Sequence, residues 1–124
     1  MKTHIICSLL MTFLLTSCMG KMETLEVSND NIVFDEVTSE VTIDSPHNFY
    51  LMDYIEYEGE EVAVRINGPI EKNVEGKHFS IVTINDNTIT IKALQNDSGK
   101  ECYGSVSLRG TEHMEGATIK FRQK

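Results

Sequence analysis

Residues 79–93 read FSIVTINDNTITIKA, and the fold class follows from how that stretch must lie. Phe79 to Ile84 and Thr88 to Ala93 are two runs rich in β-branched residues. Between them Asn85, Asp86 and Asn87 favour a tight hairpin turn that tolerates positive backbone torsions. In the second run Ile89 and Ile91 fall on one face, with Thr88, Thr90 and Lys92 opposite. That period of two belongs to a strand with one face in a core and one in water.

The same signature extends outward in both directions. Towards the C-terminus, Asn96 to Lys100 is a second polar turn, and Tyr103–Arg109 and Ala117–Arg122 are the closing strands, with Val106, Leu108, Ile119 and Phe121 inward. Towards the N-terminus, Val62, Val64 and Ile66 alternate after an acidic turn around Gly59. Val41 with Ile43, Ile32 with Phe34, and Leu25 with Val27 repeat the pattern in shorter pieces. Residues 69–78 carry Glu71, Lys72, Asn73, Glu75 and Lys77 with little apolar content, and read as the longest irregular loop. No segment sustains a helical period. The expectation is an all-β domain over residues 25–124, an immunoglobulin-like β-sandwich of about seven to eight antiparallel strands.

His47 to Tyr57 is the apolar-rich strand of the set. A strict alternation puts Phe49, Leu51, Ile55 and Tyr57 on one face and Tyr50, Met52 and Tyr54 on the other. Large aromatics in sandwich strands serve first as packing. The functional alternative is that Tyr50 and Tyr54 form an exposed platform for a sugar ring or a partner. The candidate ligand-binding residues are therefore Tyr50, Tyr54 and Tyr103, with Lys72 and Asn73 in the long loop second.

The start of the chain supplies an address. Lys2 precedes the apolar run Ile5–Leu15, and Leu15, Thr16, Ser17 and Cys18 close it in the manner of a bacterial lipoprotein signal. The run is shorter than the ~20 residues of a membrane-spanning helix. Residues 1–17 are accordingly read as a signal peptide, Cys18 as the lipidation site, and residues 18–24 as the lipidated N-terminus and a short spacer. Met19 after the cysteine, rather than the aspartate associated with inner-membrane retention, points to the outer membrane, with the domain facing the periplasm or the cell exterior.

Charge and chemistry narrow the function. The formal net charge of 124 residues is −8, one unit more negative once Lys2 is removed, which argues against nucleic acid as a partner. With Cys18 acylated and Cys7 discarded, Cys102 is a lone thiol, expected as a small buried hydrophobe on a strand. His47, His78 and His113 lie far apart, and Glu112, His113 and Glu115 are a weak grouping, so neither a metal nor another cofactor is expected. Nucleophile elbow, phosphate loop and paired-carboxylate patterns are missing from the sequence, so no catalytic residue is assigned.

From Leu25 to the C-terminus the chain resembles BACON-type domains, immunoglobulin-like sandwiches found on lipoproteins and glycan-degrading proteins of Gram-negative bacteria. The resemblance is carried by Leu25, Val27 and Phe34, by Ile89, Ile91 and Ala93 followed by Asn96, Ser98 and Gly99, by Gly104, Val106 and Leu108, and by Ile119, Phe121 and Gln123. The family's central tryptophans are replaced, with Phe49 or Phe79 as core equivalents. What the resemblance implies is glycan binding or the spacing of other modules from a membrane. The functional expectation is a noncatalytic, lipid-anchored cell-envelope binding or accessory module for a glycan or protein partner. The alternative is a structural envelope protein that assembles through its strand edges.

Cys18→Ala should abolish lipid attachment and shift the protein from the membrane to the soluble fraction, as read by mass spectrometry of the N-terminal peptide and by cell fractionation. An unmodified Cys18 in the wild type would contradict the assignment.

Overall fold

A computed structural model describes residues 23–35, 38–111 and 114–123. The signal, Cys18, most of the spacer, Glu112 and His113 lie outside the described residues. Nine strands form two sheets: β1 (Asn31–Phe34), β2 (Glu40–Asp44), β3 (Phe49–Glu58), β4 (Glu61–Ile66), β5 (Val74–Glu75), β6 (Phe79–Asn85), β7 (Thr88–Ala93), β8 (Cys102–Gly110) and β9 (Ala117–Gln123). One sheet has the order β1-β9-β8-β3-β4 and the other β2-β7-β6-β5. The architecture is an immunoglobulin-like β-sandwich. Among the described residues no helix is long and apolar enough to cross a membrane.

The β6–β7 hairpin forms as its sequence dictates, with Ile81 opposite Ile91 and Thr83 opposite Ile89. Asn85 Oδ1 accepts the Asn87 N–H at 3.0 Å, so the turn residues satisfy their own backbone. Phe49 N–H donates to the Asp86 carbonyl at 2.9 Å, tying the turn to the start of β3.

Three details differ from the sequence reading. Leu25 is buried, but its segment makes only an isolated parallel bridge, Thr24 with Glu115, rather than a strand. The stretch taken as an irregular loop contains β5, which pairs with β6 through Val74 and Ile81. Val74 is the single apolar residue of this two-residue strand, and one residue shows no period. The pairing of β1 with β9 is parallel, because the chain enters the first sheet at the edge beside its last strand and then crosses to the other sheet.

The most consequential difference is in β3. Its register against β8 shifts between Leu51 and Tyr54, so the strand carries an irregularity at Met52 and Asp53. Such a bulge inverts the alternation beyond it. Phe49 and Leu51 point inward before it; Tyr54 and Glu56 point inward after it. Tyr54, which strict alternation groups with Tyr50, is only 1 % exposed, so the two do not form an outer platform.

Between the sheets, rings form a chain of contacts. Phe79 meets Phe121 edge-on at 4.7 Å and lies 6.0 Å from Phe34, while Tyr54 lies 6.2 Å from Phe121. Gly104 stands opposite Phe121, and a Cβ there would fall 2.1 Å from the Phe121 ring. The missing side chain is the space the ring fills.

A buried polar network closes one end of this core. Glu56 is fully buried, and removing a carboxylate from water costs several kcal/mol unless its oxygens are satisfied. Tyr54 Oη donates to Oε1 at 2.6 Å and the His78 N–H donates to Oε2 at 3.0 Å. Gly76 passes so close that a Cβ would meet Glu56 Oε1 at 2.2 Å. Gln123 Nε2 donates to the carbonyls of His78 and Leu94, at 2.8 and 2.7 Å, stitching β9 to the opposite sheet. Burial, then the Glu56 hydrogen bond, pushes the Tyr54 phenol up and keeps it a donor. His78 Nε2 meets Glu58 Oε2 at 2.8 Å, placing the ring proton on Nε2; the buried Nδ1 has no hydrogen-bond partner among the described residues.

The hydrogen bonds of His78 and then Lys77, whose Nζ lies 2.7 Å from Oε2, pull the Glu58 carboxyl down from 4.5 to about 2. Between those values the unfolded chain binds a proton that the folded chain refuses. The Glu58 contribution is therefore complete above about 4.5 and is lost as pH falls toward about 2. The difference in Tm between wild type and Glu58→Gln should be largest near neutral pH and close as pH falls through that window. A difference independent of pH would refute this coupling.

Candidate binding face

The inversion at the bulge decides what the five-stranded sheet shows to solvent. Beyond it Ile55 and Tyr57 face outward, because Tyr54 and Glu56 face in. Val62, Tyr57, Tyr103, Arg122 and Val33 are then successive register partners across all five strands. The adjacent row is Arg65, Ile55, Ser105, Lys120 and Asn31. Further along, Ser107 pairs with Thr118, and Tyr50 with Arg109.

All three arginines of the chain, Arg65, Arg109 and Arg122, stand on this face with Lys120, as do three of its four tyrosines. Asp53, at the bulge, is turned to accept the Gly68 N–H at 3.0 Å. The face is thus basic and aromatic in a chain that is acidic as a whole. Small side chains at Ser105 and Ser107 leave a trough along β8. Its upper part is a groove of about 430 Å³ lined by Ile55 and Tyr57 on β3, by Tyr103 and Ser105 on β8, and by Lys120 and Arg122 on β9.

Glu101 sets the rim. It accepts the Tyr103 hydroxyl at 2.6 Å through Oε2, and its Oε1 lies 3.7 Å from Arg122 Nη1. The hydrogen bond from Tyr103 pushes that phenol up, so it remains a neutral donor. Half-exposed aromatic rings can stack on a ring-shaped ligand, and guanidinium groups can hold a carboxylate with two parallel hydrogen bonds.

The sequence-derived candidates divide. Tyr50 and Tyr103 are on this face, 37 % and 38 % exposed. Tyr54 is withdrawn as a surface residue, since its side chain is inside the sandwich and its hydroxyl is committed to Glu56. Lys72 and Asn73 are exposed but lie elsewhere: Asn73 Oδ1 accepts the Thr83 N–H at 3.0 Å, and Thr83 Oγ1 donates to the Lys72 carbonyl. Those bonds pin the loop to β6. Near it, Tyr50, Glu71, Thr83 and Asp86 line a small cleft of about 150 Å³.

Sequence reasoning missed Tyr57, Arg65, Arg109, Lys120 and Arg122. The available signal was the polar half of the alternation, Lys120 and Arg122 between Ile119, Phe121 and Gln123, which shows the outward side of a strand as clearly as the apolar half shows the inward one.

Cys102 is buried at the start of β8, burial raises its thiol, and Sγ lies 3.6 Å from the Lys100 carbonyl. Among the described residues no three His, Cys, Asp or Glu side chains converge as metal ligands.

No family model matches the chain, and no curated protein does. Among solved structures it is similar to an NMR structure of a protein from Bacteroides thetaiotaomicron, at 12 % identity and a TM-score of 0.64, covering 85 % of this chain and 90 % of that one. It also matches the crystal structure of the periplasmic chaperone SfaE at 14 % identity and a TM-score of 0.41, covering 81 % of this chain and 56 % of that one. The first likeness supports the sandwich over nearly the whole domain.

Proposed function

We propose that this chain is a lipid-anchored, noncatalytic binding or accessory module of the outer membrane, a BACON-like domain whose glycan or protein partner docks on the outer face of the five-stranded sheet. The observation that carries the reading is the gathering of every arginine, Lys120 and three tyrosines on one outward face. Charged and aromatic side chains on a sheet surface contribute little to a core, and Arg with Tyr is the composition of binding hot spots. A short spacer from Cys18 holds such a face close to the membrane surface.

The structural alternative, assembly through strand edges, draws on β4. Its outer edge has no paired strand among the described residues, and Val62 on it is 47 % exposed. Edge pairing would consume backbone groups of β4 and leave the Tyr57–Tyr103–Arg122 row untouched.

A Tyr57→Ala, Tyr103→Ala double variant separates the two. Screened on a glycan array and against isolated envelope proteins, it should lose about tenfold or more in affinity for whatever the wild type binds, two partly exposed rings contributing about 1 kcal/mol each. Unchanged affinity, or defined oligomers with no ligand bound on this face, would favour the edge reading.

A further inference from the structure

We infer that the ligand of this face is an acidic glycan, a saccharide chain carrying carboxylate groups on its sugar rings. The inference rests on the reading of the outer sheet face as a docking surface and adds the chemistry of what docks there.

Three features select that class. The groove is an open trough rather than a closed pocket, with the small hydroxyl side chain of Ser105 on its floor and Ser107 continuing the outward face of β8 beyond it, so it suits an extended chain lying along β8. Ile55 and Tyr57 on β3 and Tyr103 on β8 offer apolar and aromatic surface, which matches the C–H face of a sugar ring. On its β9 side Lys120 and Arg122 are two residues apart on one strand and both point outward, about 7 Å apart along it. Arg65, on β4 beside Ile55, and Arg109, further along β8 beside Tyr50, add positive charge to the same face outside the groove. A neutral glycan would leave Arg65, Arg109 and Lys120, which have no ion-pair partner among the described residues, without a counter-group, and Arg122 with Glu101 alone at 3.7 Å. A guanidinium beside a ring-stacking surface instead fits a carboxylate attached directly to the stacked ring.

Charge density distinguishes this ligand from a nucleic acid, which would also stack and also carry anions. The chain as a whole bears −8, and Glu101 stands at the groove rim beside Tyr103 and Arg122. A polymer with a phosphate at every unit would meet that acidic surround along its whole length. A saccharide with spaced carboxylates can place them on the basic border alone.

The test uses the full-length protein in detergent micelles and measures binding to uronate polymers, namely polygalacturonate, alginate and hyaluronate, and to the same polymers with their carboxyls reduced to alcohols. The expected result is binding to at least one acidic polymer, an affinity that falls steeply with salt, and loss of binding on reduction. Lys120→Gln with Arg122→Gln should weaken it about tenfold, and the charge-conserving Lys120→Arg, which keeps the Arg122 guanidinium beside Tyr103, should retain most of it. Equal binding to the acidic and reduced polymers would overturn the acidic class while leaving glycan docking on this face intact. Single-stranded oligonucleotide bound as tightly as the uronates would overturn it in favour of a phosphate ligand. Failure to bind any acidic polymer also overturns it, and the docking face then stands or falls on the Tyr57 and Tyr103 variant above.

Discussion

The bulge in β3 at Met52 and Asp53, one of two register shifts in its ladders, sets the parity of the strand on which the rest of the structure depends. In a strand side chains alternate strictly, so one extra residue exchanges the inner and outer sets for everything beyond it. Without the shift, Ile55 and Tyr57 would enter the core while Tyr54 and Glu56 faced water. With it, a tyrosine and a carboxylate go inside and an aromatic row is left outside.

The inner consequence is a polar core that must be fully connected to be tolerated. Glu56 is held by Tyr54 from its own strand and by the His78 backbone from the opposite sheet, and Gln123 binds the His78 carbonyl from β9. These bonds cross the sandwich where apolar packing would not specify which carbonyl meets which donor. They fix the two sheets in one register, and Gly76 and Gly104 leave the room that the network and the Phe121 ring need. The outer consequence is that Tyr57 and Tyr103 stand in one row with Arg122 and beside Lys120 along the groove. The same backbone event therefore positions both the buried network and the proposed binding face.

Much of the fold was legible because its signals are local. The 79–93 hairpin, the alternation of Val106 and Leu108, and that of Ile119 and Phe121 each specify strand and inward face within a few residues, and the all-β class follows. What was hidden had no local signal. A bulge in a strand where both alternating sets are apolar cannot be placed from periodicity, so alternation groups Tyr54 with Tyr50 although the two face opposite ways. Val74 alone could not announce β5, and the parallel pairing of β1 with β9 is decided by topology between residues some ninety positions apart. The site was half legible: Tyr50 and Tyr103 stood out as aromatics, while Arg65, Arg109, Lys120 and Arg122 become one surface only when β4, β8 and β9 are aligned beside β3.

Tyrosine-directed chemical labelling of the folded protein, read by mass spectrometry of its peptides, tests the parity of β3 most directly. The account predicts that Tyr50, Tyr57 and Tyr103 react while Tyr54 is protected until the protein unfolds. Labelling of Tyr54 together with Tyr50, and protection of Tyr57, would show that the alternation runs through residues 52 and 53 without a shift, and both the Glu56 network and the proposed face would fall with it.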